Sequence, residues 1–599
     1  MLRRTLLAAL LFVGTVPAIA APLPEPVARL MKSAKIPEAA AGIVVLRGDT
    51  VLLAHNAQQV MQPASTMKLF TAMTALEQLG PVFRGRTELR SSADVVQGVL
   101  QGDLIVRGGA DADFNEDVLT HMLQALRNQG ITAINGDVVL DRTLFQPARL
   151  DVGQPPFDEY PWAYYNVIPD ALLINTNLLK LELRAVGGQL SIVTMPEMDN
   201  VTVRSDLRMT DATCAQWEQG WRTPDFVRSG DRIDVVLHGS FPRDCVKTVN
   251  INVLDPHDYL ARLVRATWRK LGGTIIGTVR EANAPAPLSA GLPAASTGQQ
   301  AGGTATVVAA QESAGTTAGL AAPPFAGTAA SLAAHQSAGA AAGPAAPQSA
   351  SSATPSAAPP TAQPAAPLGT QQSVVLNNAP ANADAEDGVP AAPPTTTSVA
   401  PVTTRLLAEH VSRALPEVLR DVNKNSDNTL ARTVFLSLGS LEADPALGSR
   451  PLPPDGLNIT TSARADAAIR AWLQQHNSDS TGLVLDHGSG LSRSERATAT
   501  QLAGVLQAGL KSNWMPEFLA SLPIAATDGT MRRRLKDSPA ATRARIKTGS
   551  LNGVIAIAGY VQDANNQQVV VVAMLNDPRV AGGAGRAVLD ALIDWVARQ

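Results

Sequence analysis

A long low-complexity segment interrupts this chain and divides whatever fold it adopts into two parts. No Lys or Arg lies between Arg280 and Arg405, Phe325 is the only aromatic residue there, and Ala, Pro, Ser, Gly, Thr and Gln dominate. A stretch of this composition cannot bury enough apolar surface to offset the loss of chain entropy. A loop of that length is also unusual inside a compact domain. We therefore predict a disordered linker over residues 282–402.

The N-terminus has the pattern of a secretory signal peptide. Two arginines precede an apolar run over residues 6–13, and the small-residue site Ala18-Ile19-Ala20 follows. The apolar run is shorter than the roughly 20 residues that a membrane span needs. We predict a signal peptide over residues 1–20, export to the periplasm, and no membrane-spanning segment in the mature chain; the alternative is an uncleaved anchor.

Charge, histidines and cysteines exclude several classes of protein. The 599 residues include 49 Lys and Arg and 52 Asp and Glu, a net charge of −3 with no basic block, so nucleic acid is not an expected partner. The eight histidines show no H-E-x-x-H pattern, which disfavours a metalloprotease. Two cysteines are too few for an all-cysteine zinc site. In an exported chain Cys214 and Cys245 suit a disulfide, and two separate buried thiols are the alternative.

Short apolar runs near both termini predict strands. Runs over 42–46 and 51–54 predict one hairpin, and runs over 554–561 and 569–574 predict another. Helical patterns cover residues 406–439, 461–476 and 585–598, and further strand candidates are 102–106, 137–140 and 232–237. Strands at both ends with helices between them predict one sheet built from both termini, with a large insertion in the middle.

The first of three short motifs places a hydroxyl beside an amine. Ser65-Thr66-Met67-Lys68 opens a helical pattern that ends at Gly80-Pro81. Spacing of i and i+3 puts Ser65 and Lys68 on one helix face. Burial at a helix N-terminus favours a neutral lysine, which can activate a serine. Alone the motif is weak, since about one or two matches are expected by chance in a chain of this length.

Two further motifs have ordinary explanations when each is taken alone. Ser426-Asp427-Asn428 lies between helical stretches, where these residue types commonly cap a helix. Lys547-Thr548-Gly549-Ser550 opens a strand pattern; it suits either a solvated lysine before a turn or a cation and hydroxyl that bind a carboxylate. S-x-x-K, S-D-N and K-T-G together are the set known from class A β-lactamases and penicillin-binding proteins. All three occur here in that order.

With these motifs the chain resembles the low-molecular-mass class C penicillin-binding proteins, the D-alanyl-D-alanine carboxypeptidase/endopeptidase family. Longer matching stretches are residues 63–68, 102–104 with 107–109, 422–424, 488–493, 522–525 with 528–530, and 546–553 followed by 558–561. The resemblance implies an α/β (α+β) fold with a β-lactamase/transpeptidase-like catalytic domain over 21–90 and 403–599. An inserted mostly-β domain would cover 91–281, with a smaller nested domain around 180–250 that holds the two cysteines.

The resemblance also implies a serine hydrolase mechanism. Ser65 would attack the carbonyl between two D-alanines and form an acyl-enzyme that water then hydrolyses. Lys68 would be the general base, and Ser426 would relay a proton between Lys68 and Lys547 to the leaving amine. The expected partners are peptidoglycan stem peptides and, as acylating inhibitors, β-lactam antibiotics. No cofactor and no metal are implied.

The same resemblance assigns substrate-binding roles. Asn428 would hold the amide of the acyl portion, and Lys547 with Thr548 would hold the terminal carboxylate. The backbone N–H groups of Ser65 and Ser550 would form the oxyanion hole.

An acidic residue of the inserted domain in this family meets the amino group of a diaminopimelate side chain. The stretch over 153–159 resembles that region, and we take Asp158 as the candidate, with Glu159 close behind; a solvated acidic turn is the alternative. Two other functions stay open. A serine β-lactamase is disfavoured because no class A deacylation Glu follows the S-D-N motif, and a catalytically inactive peptidoglycan-binding protein would lack motif residues that this chain retains.

Overall fold

The computed structural model describes residues 22–155, 157–158, 160–282, 403–453 and 459–599. The predicted signal peptide, the predicted linker from residue 283 onward, and Glu159 lie outside the described residues. Within the part that is described, no helix is long and apolar enough to cross a membrane.

Strands and helices of the described residues are numbered in chain order. The strands are β1 (Ala41–Arg47), β2 (Thr50–His55), β3 (Arg86–Ser91), β4 (Val95–Val96), β5 (Val99–Leu100), β6 (Leu104–Gly109), β7 (Ala133–Ile134), β8 (Val138–Asp141), β9 (Leu179–Val186), β10 (Gln189–Met195), β11 (Val201–Ser205), β12 (Arg208–Thr210), β13 (Asp225–Ser229), β14 (Arg232–Leu237), β15 (Ser240–Pro242), β16 (Cys245–Ile251), β17 (Thr274–Ile275), β18 (Val279–Glu281), β19 (Arg405–Val411), β20 (Leu441–Asp444), β21 (Gly448–Pro451), β22 (Ala544–Leu551), β23 (Val554–Gln562) and β24 (Gln568–Asn576). The helices are α1 (Glu25–Ser33), α2 (Lys68–Gln78), α3 (Glu116–Asn128), α4 (Trp217–Gly220), α5 (Pro256–Lys270), α6 (Leu415–Arg420), α7 (Asn428–Leu438), α8 (Thr461–Gln475), α9 (Ala499–Lys511), α10 (Met515–Ser521) and α11 (Ala584–Ala597).

The apolar runs of both termini meet in one antiparallel sheet of order β2-β1-β24-β23-β22. β24 is buried at every position except its two ends. A continuous apolar run of this kind needs cover on both faces of the sheet. The predicted sheet from both ends of the chain, with its two hairpins, is therefore confirmed.

Helices supply that cover on both faces. Because successive side chains of a strand point to opposite faces, Val45 of β1 packs in a cluster with α1 and α11, while Val44 packs in a second cluster with α2 and α9. α2 lies in the interior of this layer, and its residues from Lys68 to Leu76 are all buried or nearly so. The first motif, Ser65 to Lys68, thus leads into a helix whose side chains have almost no contact with water.

A second five-stranded sheet has the order β18-β8-β6-β3-β19. β18, β8 and β6 are parallel neighbours, and β3 pairs antiparallel with both β6 and β19. Beside it, the short strands β17, β7, β5 and β4 form a further sheet, and the apolar sides of α3 and α5 pack in the same core. The strand and helix predictions at 102–106, 137–140, 461–476 and 585–598 are confirmed to within a few residues.

The predicted helix over 406–439 is wrong at its start. Residues 405–411 are β19, and the helices α6 and α7 follow only from Leu415. β19 hydrogen-bonds to β3, more than 300 residues earlier in the chain. Its pairing depends on a distant strand that a local helical pattern cannot register.

A third group of small sheets covers residues 179–251. The strand orders are β10-β9-β16, β11-β14-β13 and β12-β15, and β14 occupies the predicted range 232–237. Cys214, in a short helical turn, and Cys245, at the start of β16, form a disulfide with an S–S distance of 1.99 Å.

The domain boundaries stay predictions. β3 and β19 fall at the predicted junctions near 90 and 403, and both hydrogen-bond within the second sheet. This pairing favours junctions near residues 85 and 412, a few residues further into the predicted catalytic part.

Candidate active site

Ser65 lies where an irregular turn enters the buried helix α2. Ala64 has a φ of +46°, a backbone conformation that costs energy in any residue but glycine. One tight helical turn from Ala64 to Met67 follows and continues directly into α2. The turn leaves the Ser65 side chain half-exposed while Lys68, one turn later, is fully buried.

The amine of Lys68 is held by three oxygen atoms. Its Nζ lies 3.0 Å from Oγ of Ser65, 2.7 Å from Oδ1 of Asn428 and 2.5 Å from the carbonyl oxygen of Ser489. The amide and carbonyl oxygens can only accept hydrogen bonds. A neutral amine has two N–H groups and one lone pair, so these two acceptors take both hydrogens and the lone pair faces the hydroxyl of Ser65.

The electrostatics of the site favour that neutral amine. Burial lowers the pKa of Lys68 to about 7, although the negative charges of Asp427 and Glu495 oppose the shift. Near neutral pH, therefore, a large fraction of Lys68 is unprotonated and can accept the proton of Ser65.

In the Ser426-Asp427-Asn428 motif, one residue caps a helix and the other two contact the lysines of the site. Ser426 has a φ of 59°, which turns the chain between the wide helical turn over Asp421–Asn425 and α7. Oδ1 of Asp427 accepts a hydrogen bond from Leu430 N at 2.8 Å and so caps α7. Asn428 reaches Lys68, and Oγ of Ser426 accepts a 2.8 Å hydrogen bond from Nζ of Lys547.

Lys547 and Thr548 lie on β22, the edge strand of the first sheet. Nζ of Lys547, fully buried, also donates to the Thr548 carbonyl at 2.7 Å. Burial, followed by the charge of Lys68, lowers the pKa of Lys547 well below its ordinary value. Ser550 is exposed at the end of the same strand.

Gly549 lets the edge strand approach Ser65. A Cβ at this position would lie 2.9 Å from both Ser65 N and Pro63 O and 3.0 Å from Ala64 Cβ, distances that real side chains do not tolerate. The structure thus brings the first and third motifs into direct contact and joins the second motif to both through Asn428 and Ser426.

Several residues of the site were not predicted from the sequence. Ser489 supplies an oxygen to Lys68, and the fully buried Glu495 accepts hydrogen bonds from the backbone of the same loop. Oγ1 of Thr530 accepts a 2.8 Å hydrogen bond from Oγ1 of Thr548, which places a second hydroxyl beside the K-T-G strand. Ser489 and Thr530 lie in stretches that carried the family resemblance, but no residue pattern gave either one a role.

Asp158 lies on a loop that borders the site. Its carboxylate accepts hydrogen bonds from Tyr165 Oη, Asn166 Nδ2 and Tyr160 N, each at 2.9 Å. The carbonyl oxygen of Tyr165 is in turn 3.5 Å from Nδ2 of Asn428. The loop that Asp158 organises therefore borders the S-D-N motif.

Known proteins resemble this chain over most of its length. The D-alanyl-D-alanine carboxypeptidase DacB of Haemophilus influenzae is 23% identical over 547 residues, 88% of this chain and 83% of that protein. A D-alanyl-D-alanine carboxypeptidase of an Actinomadura species is 23% identical over 592 residues, 95% of this chain and 83% of its own. The crystal structure of penicillin binding protein 4 (dacB) from Haemophilus influenzae shares the fold, with a TM-score of 0.61 at 22% identity over 96% of this chain and 99% of that one.

A family model described as the D-Ala-D-Ala carboxypeptidase 3 (S13) family matches residues 23–297 and 381–599. The match includes all three motifs and leaves out much of the low-complexity segment. The chain belongs to the D-Ala-D-Ala carboxypeptidase 3 (S13) family.

Proposed function

We propose that this D-Ala-D-Ala carboxypeptidase acts on peptidoglycan stem peptides through an acyl-enzyme on Ser65. The observation that carries this proposal is the geometry of Lys68, whose Nζ lies 3.0 Å from Ser65 Oγ and within hydrogen-bonding distance of two acceptor-only oxygens, those of Asn428 and Ser489. In the neutral amine these two acceptors take both N–H groups, so the lone pair faces Ser65. In this arrangement Lys68 removes the hydroxyl proton as Oγ attacks the carbonyl carbon of the penultimate D-alanine.

The carboxylate of the terminal D-alanine would bind at Lys547, Thr548 and Thr530. A carboxylate there favours the charged form of Lys547, because opposite charges stabilise each other in a buried site. The positive charge of Lys547 then disfavours protonation of Lys68, so substrate binding itself keeps the base neutral. Ser426, which accepts a hydrogen bond from Lys547, would pass a proton toward the departing amine.

The backbone N–H groups of Ser65 and Ser550 would hold the oxyanion that forms during attack. The support for this assignment is that β22 is an edge strand and that Gly549 brings it against Ser65 N. Loss of one such donor typically costs about 3–4 kcal/mol of transition-state stabilisation.

We further propose that the carboxylate of Asp158 receives the amino group of the third stem residue. The half-buried carboxylate lies on the loop that borders Asn428, on the side where the acyl portion of the peptide would lie. In D158N, D-alanine release should fall for a pentapeptide with a free side-chain amine and should stay unchanged when that amine is acetylated. Equal loss on both peptides would instead make Asp158 a loop anchor.

A β-lactamase activity is the alternative within the same chemistry. A class A β-lactamase hydrolyses its penicilloyl-enzyme rapidly, with a dedicated Glu that activates the water. Asp427 is engaged in capping α7. The carboxylate of Glu495 is fully buried and bonded to backbone N–H groups, so it is not placed to hold water against the ester. We therefore expect slow deacylation, and β-lactams that behave as inhibitors.

Labelled penicillin and a D-Ala-D-Ala pentapeptide test the proposal together. Wild type should retain the label through denaturing electrophoresis and release D-alanine, whereas S65A should do neither while unfolding at the same temperature. Release of D-alanine by S65A would overturn the assignment of the nucleophile, and rapid turnover of penicillin would favour the β-lactamase. Product analysis on sacculi then separates removal of terminal D-alanine from cleavage of cross-links.

Export to the periplasm is part of the same proposal. The substrate of such an enzyme lies outside the cytoplasm, and a disulfide such as Cys214–Cys245 persists in oxidising compartments. N-terminal sequencing of the protein from a periplasmic extract should begin at Ala21, and an N-terminus at Met1 would contradict the predicted cleavage.

A further inference from the structure

The loop over residues 488–490 rests directly on the nucleophile and its base. A Cβ at Gly490 would lie 1.9 Å from the Ala64 carbonyl oxygen and 2.7 Å from Cα of Ser65, so only glycine permits this contact. The Ser489 carbonyl takes a hydrogen bond from Lys68, and the Gly488 carbonyl takes a 2.7 Å hydrogen bond from Thr71 Oγ1 of α2. The position of this loop therefore decides where the lone pair of Lys68 points.

The buried carboxylate of Glu495 accepts hydrogen bonds from the backbone of this loop. Glu495 has no exposed surface. Its Oε1 accepts hydrogen bonds from the backbone N–H groups of Gly488 at 2.8 Å and His487 at 3.2 Å, and its Oε2 accepts one from Gly490 at 2.7 Å. All three partners are donors, so the ionised carboxylate fits this nest fully. A protonated carboxyl would present an O–H to a group that itself donates.

We propose that Glu495 is a positioning residue for acylation, which fixes the Ser489 carbonyl on Lys68 and so aims the lysine lone pair at Ser65. The inference rests on the proposed role of Lys68 as general base. Glu495 acts through the loop and does not touch the reacting atoms. Its effect has two parts, the geometry of the loop and the negative charge behind Lys68.

The charged groups around Glu495 determine whether its negative charge raises or lowers the pKa of Lys68. The groups that face it are His487, whose Nδ1 lies 3.8 Å from Oε1, the exposed Asp486, the half-buried Arg432 and the buried Lys68. Burial lowers the pKa of His487 to about 3 and that of Arg432 to about 10, so the first is neutral and the second charged near pH 7.

Loss of the charge at Glu495 should make Lys68 easier to deprotonate. Asp427 and Glu495 both raise the pKa of Lys68, whereas the positive charge of Arg432 lowers it. Burial raises the pKa of Glu495 itself to about 7, so the carboxylate gains a proton in the range in which Lys68 titrates. Replacing Glu495 by Gln removes the negative charge that raises the pKa of Lys68. It also removes the protonation of Glu495 itself as the pH falls.

The pH dependence of acylation by a labelled penicillin tests this proposal. We expect E495Q to lower the plateau rate at alkaline pH about 10²-fold, the scale of a misplaced catalytic group. The acidic limb of its profile should move to lower pH. E495D keeps the charge on a shorter side chain, so its plateau should fall while its acidic limb stays at the wild-type pH.

D563N is the matched control. Asp563 is also a buried carboxylate that accepts backbone N–H bonds in a turn, from Asn565 and Gln567 at 2.9 Å, but it lies in the β23–β24 hairpin. D563N should lower the unfolding temperature and leave plateau and limb in place.

Three results would overturn the inference. They are an E495Q plateau within about threefold of wild type, an E495Q limb that is unmoved or moves to higher pH, and a D563N profile that changes like that of E495Q. If E495Q does not fold, an unchanged plateau in folded E495D overturns it equally. Failure of the wild type to be acylated at all would instead overturn the proposed function, whatever residue occupies position 495.

Discussion

At the scale of single residues, the two buried lysines of the site differ in what surrounds them. Lys68 has two acceptor-only oxygens and faces Asp427 and Glu495, which oppose the effect of burial on its pKa. Lys547 has the hydroxyl of Ser426 and a carbonyl, and burial with the charge of Lys68 lowers its pKa further. These surroundings suit the proposed roles, in which Lys68 acts as the base and Lys547 gains charge when a carboxylate binds.

The pKa of Lys68 predicts how acylation depends on pH. In the proposed mechanism the reactive form of Lys68 is the neutral amine, and burial lowers its pKa to about 7. The second-order rate of acylation by penicillin should therefore be lost as pH falls through about 7 and should level off above about 8. A stopped-flow profile between pH 5 and 9 measures it. A rate that is flat across this range, or highest at acidic pH, would contradict the role of Lys68.

At the scale of secondary-structure elements, the site depends on where an edge strand lies against a helix N-terminus. Alternation and apolar runs predicted the hairpin of β23 and β24 and the helix after Ser65. The motif Lys547-Thr548-Gly549 could be assigned to a strand as well. That β22 is an edge strand, and that Gly549 touches Ser65, follow from the strand order, which no local pattern contains.

G549A should separate the edge strand from Ser65. Its new Cβ would meet backbone atoms at 2.9 Å, so β22 must shift, and we expect a loss in acylation rate of about 10²-fold. The overpacking should also cost about 1–3 kcal/mol in the free energy of unfolding. Penicillin acylation kinetics and thermal unfolding measure the two effects.

G42A is the control for this variant. Gly42 lies in β1 of the same sheet, and its Cβ would meet the flexible Sδ of Met61 at 2.7 Å. That unbranched side chain can change rotamer to make room, so acylation by G42A should stay near the wild-type rate. Equal rates in G549A and G42A would show that the close approach of β22 is unimportant for the chemistry.

At the scale of the whole molecule, the predicted linker joins two edges of one sheet. β18 ends at Glu281 and β19 begins at Arg405, and the two strands lie at opposite edges of the second sheet. Four strand spacings separate them, about 19 Å. Both strands run in the same direction, since β19 and β6 each pair antiparallel with β3 and β18 joins β6 through the parallel strand β8.

A connection far shorter than the predicted linker should therefore be long enough to join β18 to β19. A flexible Gly/Ser chain of about 20 residues has an end-to-end distance of about 25 Å. Replacing residues 284–402 with such a chain should leave penicillin acylation within about twofold of wild type, because loop length affects stability only weakly. Acylation and unfolding temperature of the shortened protein measure this. A folded variant that has lost acylation would show that the segment contributes to the site.

The sequence by itself determined the chemistry of this protein and the elements that carry it. Ser65 with Lys68, the S-D-N turn and the K-T-G strand are local patterns, and local patterns record spacing and periodicity. Tertiary structure decided which groups meet. The Ser489 carbonyl, Thr530 and Glu495 belong to the site only because a loop and a turn fold back onto α2 and β22. Residues 405–411 form a strand because they pair with β3, which lies far away in the sequence. Such contacts depend on burial and hydrogen bonding between distant segments, and these exist only in the folded chain.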